Sequence, residues 1–575
     1  MKNIISLFII SFFIVPFSLC QFDENKIMQS NVTPTYEELI EFYKHYAAEN
    51  DDIQLYNMGA SDYGLPIYLC VLNADQDSTK TFEKARNNTT LLVNNGIHPG
   101  EPCGINACMQ YVVDFTNLDE EIREAHPITG IIPIYNVGGM KNRSSYSRAN
   151  QDGPLEYGFR GNTKNLDLNR DFIKMDSQNM WVFAKIFHAL DPDVFIDTHT
   201  TNGADYHYVM TYIVPLYDRM PKATRDLLFD NMIPFLERVI KFSYNYTIFP
   251  YVSMNDKTLD KGIHAFNPLP RYAMGYADLF NSLSFTTETH MLKPFEERVR
   301  STYAFISEVT EWISDNHRAI EKAREEAFKE QLNKDFFELD FKASETHDSI
   351  LFKGYEWDYK PSELTADDRL FYDEASPFEK YIPYNFRYEP TNKVNVPKYY
   401  ILGGQEKDVL ERLKANQIEY TTIKKDTTIN AKYFRVVDYE TVSKPYEGHY
   451  LHSKLKVDEE TKVIDFKTGD ILIPTQQKHK RFLVSTLDPR MEDSYFAWNF
   501  FDSYLQQKEY FSPYIFEDIA VELIKDNPKI EREFREKQSN DKEFAANRWQ
   551  QLYFLYKRSP YYEPSHNIIP VYSVD

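Results

Sequence analysis

The residues able to do chemistry begin at His98-Pro99-Gly100-Glu101, where the apolar run 89–94 gives way to a turn. Imidazole and carboxylate both ligate zinc, and a His₂Glu set leaves the fourth position open for water. An HxxE pair alone is an ordinary turn sequence, so a third ligand is required. His199 offers one at the end of the strand-like stretch 193–198, in the same strand-to-turn setting. Between them runs Asn165-Leu166-Asp167-Leu168-Asn169-Arg170-Asp171, with Arg160 upstream. An arginine beside an asparagine suits a carboxylate, because the guanidinium fork takes both oxygens and the amide adds a donor. Glu288 lies in the strand-like stretch 283–291, where a carboxylate can serve as a general base. His290 is two residues further on and would share its strand face. His449 and His452 form an HxxH pair with no accompanying carboxylate–histidine set.

In type and in order, His98/Glu101, Arg160, Asn169/Arg170, His199 and Glu288 resemble the functional residues of the M14 zinc carboxypeptidases. The resemblance covers roughly residues 30–315, and the whole chain is similar to large secreted bacterial members with an extra C-terminal region. It implies Zn²⁺ held by His98, Glu101 and His199, with Asp167 accepting the outer proton of a ligand imidazole. Asn169 and Arg170 would bind the free C-terminal carboxylate of a peptide, Arg160 would face the scissile carbonyl, and Glu288 would be the general base. The implied activity is hydrolysis of C-terminal peptide bonds. The implied fold is a mixed eight-stranded sheet flanked by helices. Where the family carries a substrate-capping tyrosine this chain has Phe266, leaving Tyr272, Tyr276 and Tyr251 as alternatives. A zinc deacylase or amidase acting on N-acyl amino acids or cell-wall peptides would use the same set. A binding protein with an idle catalytic domain would have lost a ligand or the base, and here all are present.

The elements that must position these residues alternate. A helix is expected over 34–50, with Thr33 or Thr35 as its cap. Strands are expected at 89–94, 131–137, 193–198 and 284–287, and helices at 104–115, 179–190, 222–242 and 295–335. Strands alternating with helices imply an α/β layer fold with a largely parallel sheet. The helical pattern grows charged and reads as a linker over 316–339. A smaller α+β domain of unassigned role is expected over 340–575, with helices near 407–415, 494–507 and 515–525.

Composition sets the outer bounds. At ~100–200 residues per domain, 575 residues suggest two to four domains. With 65 Lys+Arg against 87 Asp+Glu the net charge is −22, which argues against sequence-independent nucleic-acid binding. The one long apolar run follows Lys2 and stops at Pro16. It is too short to span a bilayer and fits a signal peptide over 1–20, cut between Cys20 and Gln21, so the chain is expected to be exported. Lipid attachment at Cys20 is the competing reading, disfavoured by the bulky Leu19. No later segment is apolar enough to cross a membrane. The remaining thiols, Cys70, Cys103 and Cys108, are too irregularly spaced for a disulfide framework.

Overall fold

A computed structural model describes residues 27–575; the N-terminal apolar segment and its cleavage site lie outside the described residues. The first half is built on eight strands: β1 (Ile53–Ala60), β2 (Pro66–Leu72), β3 (Thr90–Asn95), β4 (Ile128–Ile132), β5 (Val194–Thr201), β6 (Met210–Ile213), β7 (Phe249–Pro250) and β8 (Leu283–His290). They form one mixed sheet in the order β1-β2-β4-β3-β5-β8-β6-β7. The central strands β4, β3, β5 and β8 run parallel. Leu91, Leu92, Val93, Phe195 and Ile196 are fully buried, as strands covered on both faces require.

Helices cover both faces. Gly104 of α2 (Cys103–Thr116) lies directly against Thr198 of β5, where a side chain would not fit. Leu190, the last residue of α3 (Gln178–Leu190), packs on Gly130 of β4 from the opposite face. The mixed eight-stranded sheet flanked by helices is the fold expected from the sequence.

Local chemistry explains where elements begin and end. The first helix, Tyr36–Glu49, is capped by Thr35, whose hydroxyl accepts the Glu38 amide while the Glu38 carboxylate accepts the Thr35 amide. The strand expected over 131–137 instead occupies Ile128–Ile132, because Pro133 has no N–H for the ladder. Asn136 then caps a short helix, Val137–Lys141. The helix expected over 222–242 forms as Lys222–Leu227 and Ile233–Tyr244, joined by a wide π-type turn just before Pro234. The helix expected near 494–507 is a series of turns with one 3₁₀ turn, Asp502–Leu505. Asn499, at φ +67°, breaks it.

Residues 316–333 complete the 39-residue helix Phe295–Asn333, and the stretch read as a linker is packed rather than free. Ile320, Ala323, Ala327 and Gln331 fall on one buried stripe, and Arg324 pairs with Asp191 and Asp193 at 2.8 and 2.6 Å. Beyond it the chain does not form a single module. The long hairpin of Asp348–Pro361 and Asp368–Asn385 joins Ile263–His264 and Ser253–Met254 of the first half in a four-stranded sheet. A six-stranded sheet follows, built from strands between Tyr399 and Val574. A helical group, Pro513–Asp526 to Arg548–Tyr556, has its own small core around Phe516, Phe534 and Phe544. The six-stranded part is stitched to the first half: Phe280 stacks on Phe482, Arg481 pairs with Asp278 at 2.6 Å, and Arg271 pairs with Asp493 at 2.8 Å. Among the described residues no helix is long and apolar enough to cross a membrane.

Candidate active site

The site forms at the C-terminal ends of β3, β5 and β8, where open α/β sheets collect ligands. β3 ends at Asn95, and Gly96 turns the chain at φ +67°, a left-handed conformation that favours glycine, beside the Ile134 side chain. That turn delivers His98 and Glu101. β5 carries His199, and the parallel register places Glu288 of β8 directly beside it. Paired residues of parallel strands share a face, so the two side chains emerge together.

His98, Glu101 and His199 are all buried, and their ligand atoms lie within 4.8 Å of one another. His98 Nδ1 is 3.1 Å from His199 Nδ1 and 3.3 Å from Glu101, and His199 Nδ1 is 2.9 Å from Glu101. A tetrahedral zinc ion with bonds of about 2.0–2.1 Å spaces its ligands by roughly 3.3 Å, so this triangle is of the right size. The tautomers also fit. His98 Nε2 donates to Asp167 Oδ1 at 2.8 Å, and His199 Nε2 donates to Asp197 Oδ2 at 2.7 Å. A carboxylate can only accept, so each Nε2 holds a proton. Arg160 Nη1, which can only donate, lies 3.3 Å from His98 Nδ1, leaving that nitrogen its lone pair for a metal. Both imidazoles are thus oriented from behind by a carboxylate, the usual arrangement at a zinc site.

The electrostatics favour a cation at this point. Burial opposes the charge on Glu101, yet His98, Arg148 and His199 hold it well below the usual carboxylate range. Burial likewise opposes a proton on His199, but Asp197 and Glu101 raise its pKa well above the ordinary value. For Asp167 burial is outweighed by His98, Arg160 and Arg170, and it stays ionised far below the usual range.

Around the triad an open cavity of about 270 Å³ brings together the other expected residues, Arg160, Asn169, Arg170 and Glu288. Arg160 is gripped by Asp167 through Nε and Nη2 at 3.0 and 2.8 Å. Asn169 holds the Ala273 amide through its Oδ1 at 3.0 Å. Arg170 lies over the Tyr272 ring at 4.4 Å. The loop that carries them is pinned by Asp171, which is buried and accepts the amides of Asp176 and Ser177 and the ammonium of fully buried Lys174. Burial lifts Glu288 to about 8; His199 opposes the rise and Glu101 adds to it. Of the alternative tyrosines, Tyr251 and Tyr272 line the cavity with Phe266 between them. Tyr276 is fully buried against Phe187 and Phe280.

The other histidines have separate partners. His290 packs edge-on against Tyr206 and accepts the Leu292 amide. His449 pairs with Asp176, and His452 with Asp502. Cys70, Cys103 and Cys108 are free and buried. Two site residues were not anticipated. Asp197 could have been, since it precedes His199 by two and shares its strand face. Arg148, which pairs with Glu101 at 2.8 Å and donates to the Thr200 carbonyl, stands in a loop with no pattern to mark it.

Residues 39–189 match the family model described as zinc carboxypeptidase, Peptidase M14. Over residues 39–189, therefore, the chain carries the match to an M14 zinc carboxypeptidase domain. Zinc is the metal this family uses, and the His98–Glu101–His199 triad fits it. The matched range spans His98, Glu101, Arg160, Asp167, Asn169 and Arg170; His199 and Glu288 lie beyond it, side by side in the sheet. The chain is similar to several solved structures. For the metallo-carboxypeptidase of Burkholderia cenocepacia the identity is 14%, covering 49% of this chain and 69% of that one, with a TM-score of 0.35. For bovine thrombin-activatable fibrinolysis inhibitor, solved with a tick carboxypeptidase inhibitor, the values are 13%, 50%, 99% and 0.37. For carboxypeptidase A of Helicoverpa armigera they are 15%, 53%, 80% and 0.36. No curated protein sequence gives a significant match.

The Asp197–His199 contact yields a prediction. Asp197→Ala should weaken zinc binding by about 10–100-fold, and Asp197→Asn, which keeps an acceptor oxygen, by less. Titration against a competing chelator reads both. Equal affinity in wild type and Asp197→Ala would show that Asp197 does not orient the ligand.

Proposed function

We propose that this protein is an exported metallocarboxypeptidase that removes the C-terminal residue of peptides. The observation that carries the reading is the sharing of one cavity by three features: a zinc-sized triangle of ligands, a carboxylate lifted toward neutral pKa, and an Arg–Asn pair beside both. Bound Zn²⁺ would supply a Lewis acid that polarises the scissile carbonyl and acidifies a water molecule. Glu288 takes the proton of the attacking water and returns it to the leaving amine; burial raises its proton affinity, and a cation held by the triad beside it would lower it again and favour the ionised base. Arg160 faces the cavity and stabilises the oxyanion. Arg170 and Asn169 bind the terminal carboxylate, so that only the last peptide bond reaches Glu288. The walls also include the uncharged Ile213, Phe266, Pro268, Met274 and Thr286, together with the polar Thr200, Thr201 and Asn202 and with Arg148, which is paired with Glu101.

A second reading, deacylation of N-acyl amino acids, draws on one feature. An apolar groove adjoins the cavity and shares Ile213, Tyr251 and Phe266 with it. The same Arg–Asn pair would hold the amino-acid carboxylate.

Kinetics separate these readings. A peptide with a free C-terminus should be cut at least ~10²-fold faster than its C-terminal amide, because the amide leaves Arg170 without its charge-assisted partner. Arg170→Ala should slow the free acid strongly and the amide much less. Glu288→Gln should lower turnover by about 10²–10⁴-fold while zinc content stays stoichiometric. Equal cleavage of acid and amide at an internal bond would end the exopeptidase reading, and hydrolysis of N-acyl amino acids in preference to peptides would establish the second one. Export is supported by the apolar run before Gln21. N-terminal sequencing of the mature protein should begin at Gln21, and a retained Met1 would contradict it.

A further inference from the structure

We infer that the C-terminal region is part of the active site, through a turn that holds the carboxylate-binding arginine, and that Tyr446 is a positioning residue for peptide hydrolysis. The turn is Tyr446-Glu447-Gly448-His449, closed by hydrogen bonds between Tyr446 and His449 in both directions. Glu447 and Gly448 at its tip have φ of +49° and +83°, the paired left-handed geometry of a tight hairpin turn. The preceding residues 442–445 are exposed, but Tyr446, Glu447 and His449 are partly buried against the catalytic domain.

Each of the three meets a different point of the loop that carries the carboxylate grip. Tyr446 accepts Arg170 Nε through its phenol oxygen at 3.1 Å. Glu447 accepts the Asp167 amide through Oε2 at 2.7 Å. His449 Nε2 contacts Asp176 Oδ2 at 2.7 Å, and Asp176 in turn holds buried Lys174. Three contacts over one short turn fix the loop at its beginning, middle and end.

The arginine is defined from every side except the cavity. Tyr272 lies beneath its guanidinium, Nη1 donates to the Asn169 carbonyl, and Nε is taken by Tyr446. The arginine's remaining side lines the cavity. Tyr446 is itself rigid: its ring stacks on buried Trp498 at 6.1 Å, and Arg271, paired with Asp493, lies over both rings. Arg170 without this acceptor would regain rotamer freedom, and a bidentate grip depends on orientation. The residue that aims the arginine therefore comes from 276 positions away, in the part of the chain to which the sequence assigns no role.

This inference rests on Arg170 binding the terminal carboxylate, and the test keeps the two apart. Tyr446→Phe removes the acceptor and keeps the ring on Trp498. It should raise KM for the free-acid peptide about tenfold with kcat nearly unchanged, leave the amide's rate as it was, and preserve zinc content and melting temperature. In an Arg170→Ala background the same change should have no further effect on the acid-to-amide ratio. An unchanged ratio in Tyr446→Phe, with Arg170→Ala collapsing it, would overturn the positioning role and leave the carboxypeptidase reading standing. Equal losses on acid and amide would also overturn it, as they would show only structural damage. If Arg170→Ala itself left the ratio intact, the carboxylate grip would be lost and this inference with it. Glu447→Ala, which frees the Asp167 amide without touching Arg170, provides the second variant: it should disturb the ratio less than Tyr446→Phe.

Discussion

Two carboxylate–imidazole hydrogen bonds, one buried and one partly buried, govern this structure: Asp197 on His199 and Asp167 on His98. Each fixes a proton on the outer ring nitrogen and turns the inner nitrogen toward Glu101. Without them the rings could flip, and the three ligand atoms would not meet. Burying such charges is costly unless they are paired, and pairing is what the surroundings supply. Asn94 supports Asp197, Arg148 supports Glu101, and Arg160 supports Asp167. The site is a closed network of opposite charges with one place left for a cation.

The scaffold follows from that demand. A strand-end histidine and a strand-end glutamate can be neighbours only if β5 and β8 run parallel and in register, as they do. Parallel strands need covering helices on both faces, and the fully buried central strands show it. The Asp167–Arg170 segment has no such regular support. It is a loop with a single 3₁₀ turn, held from within by Asp171 and Lys174 and from without by the turn at Tyr446. A loop held by a distant part of the chain gains rigidity without a longer sheet, and on the inference drawn above the extra C-terminal length would serve the chemistry of the first half.

The parts of this arrangement visible in the sequence are those with a local signature. HxxE after an apolar run, a histidine closing DVFIDT and an Arg–Asn pair are short motifs with a chemical meaning, and the structure gathers all of them. Asp197 was legible by strand alternation. Tyr446 was not, because a contact across 276 residues leaves no local pattern. Misread boundaries have equally local causes. Pro133 ended a strand that hydrophobicity would have continued. The end of the helix Phe295–Asn333 read as a linker because its charges dominate its composition, although Ile320, Ala323, Ala327 and Gln331 keep the three- and four-residue spacing of a buried stripe. The division of 340–575 into a hairpin joined to the first half, a six-stranded sheet and a helical group depends on strand pairing, which composition does not encode.

The central claim is that His98, Glu101 and His199 together hold zinc, and X-ray absorption at the zinc edge of the loaded protein tests it most directly. The account predicts one zinc per chain, bound by two imidazole nitrogens and carboxylate or water oxygen at about 2.0–2.2 Å, with no sulfur. In His98→Ala one imidazole should vanish from the spectrum and the affinity should fall. A thiolate in the shell, a purely oxygen shell, or an unchanged spectrum in His98→Ala would contradict it.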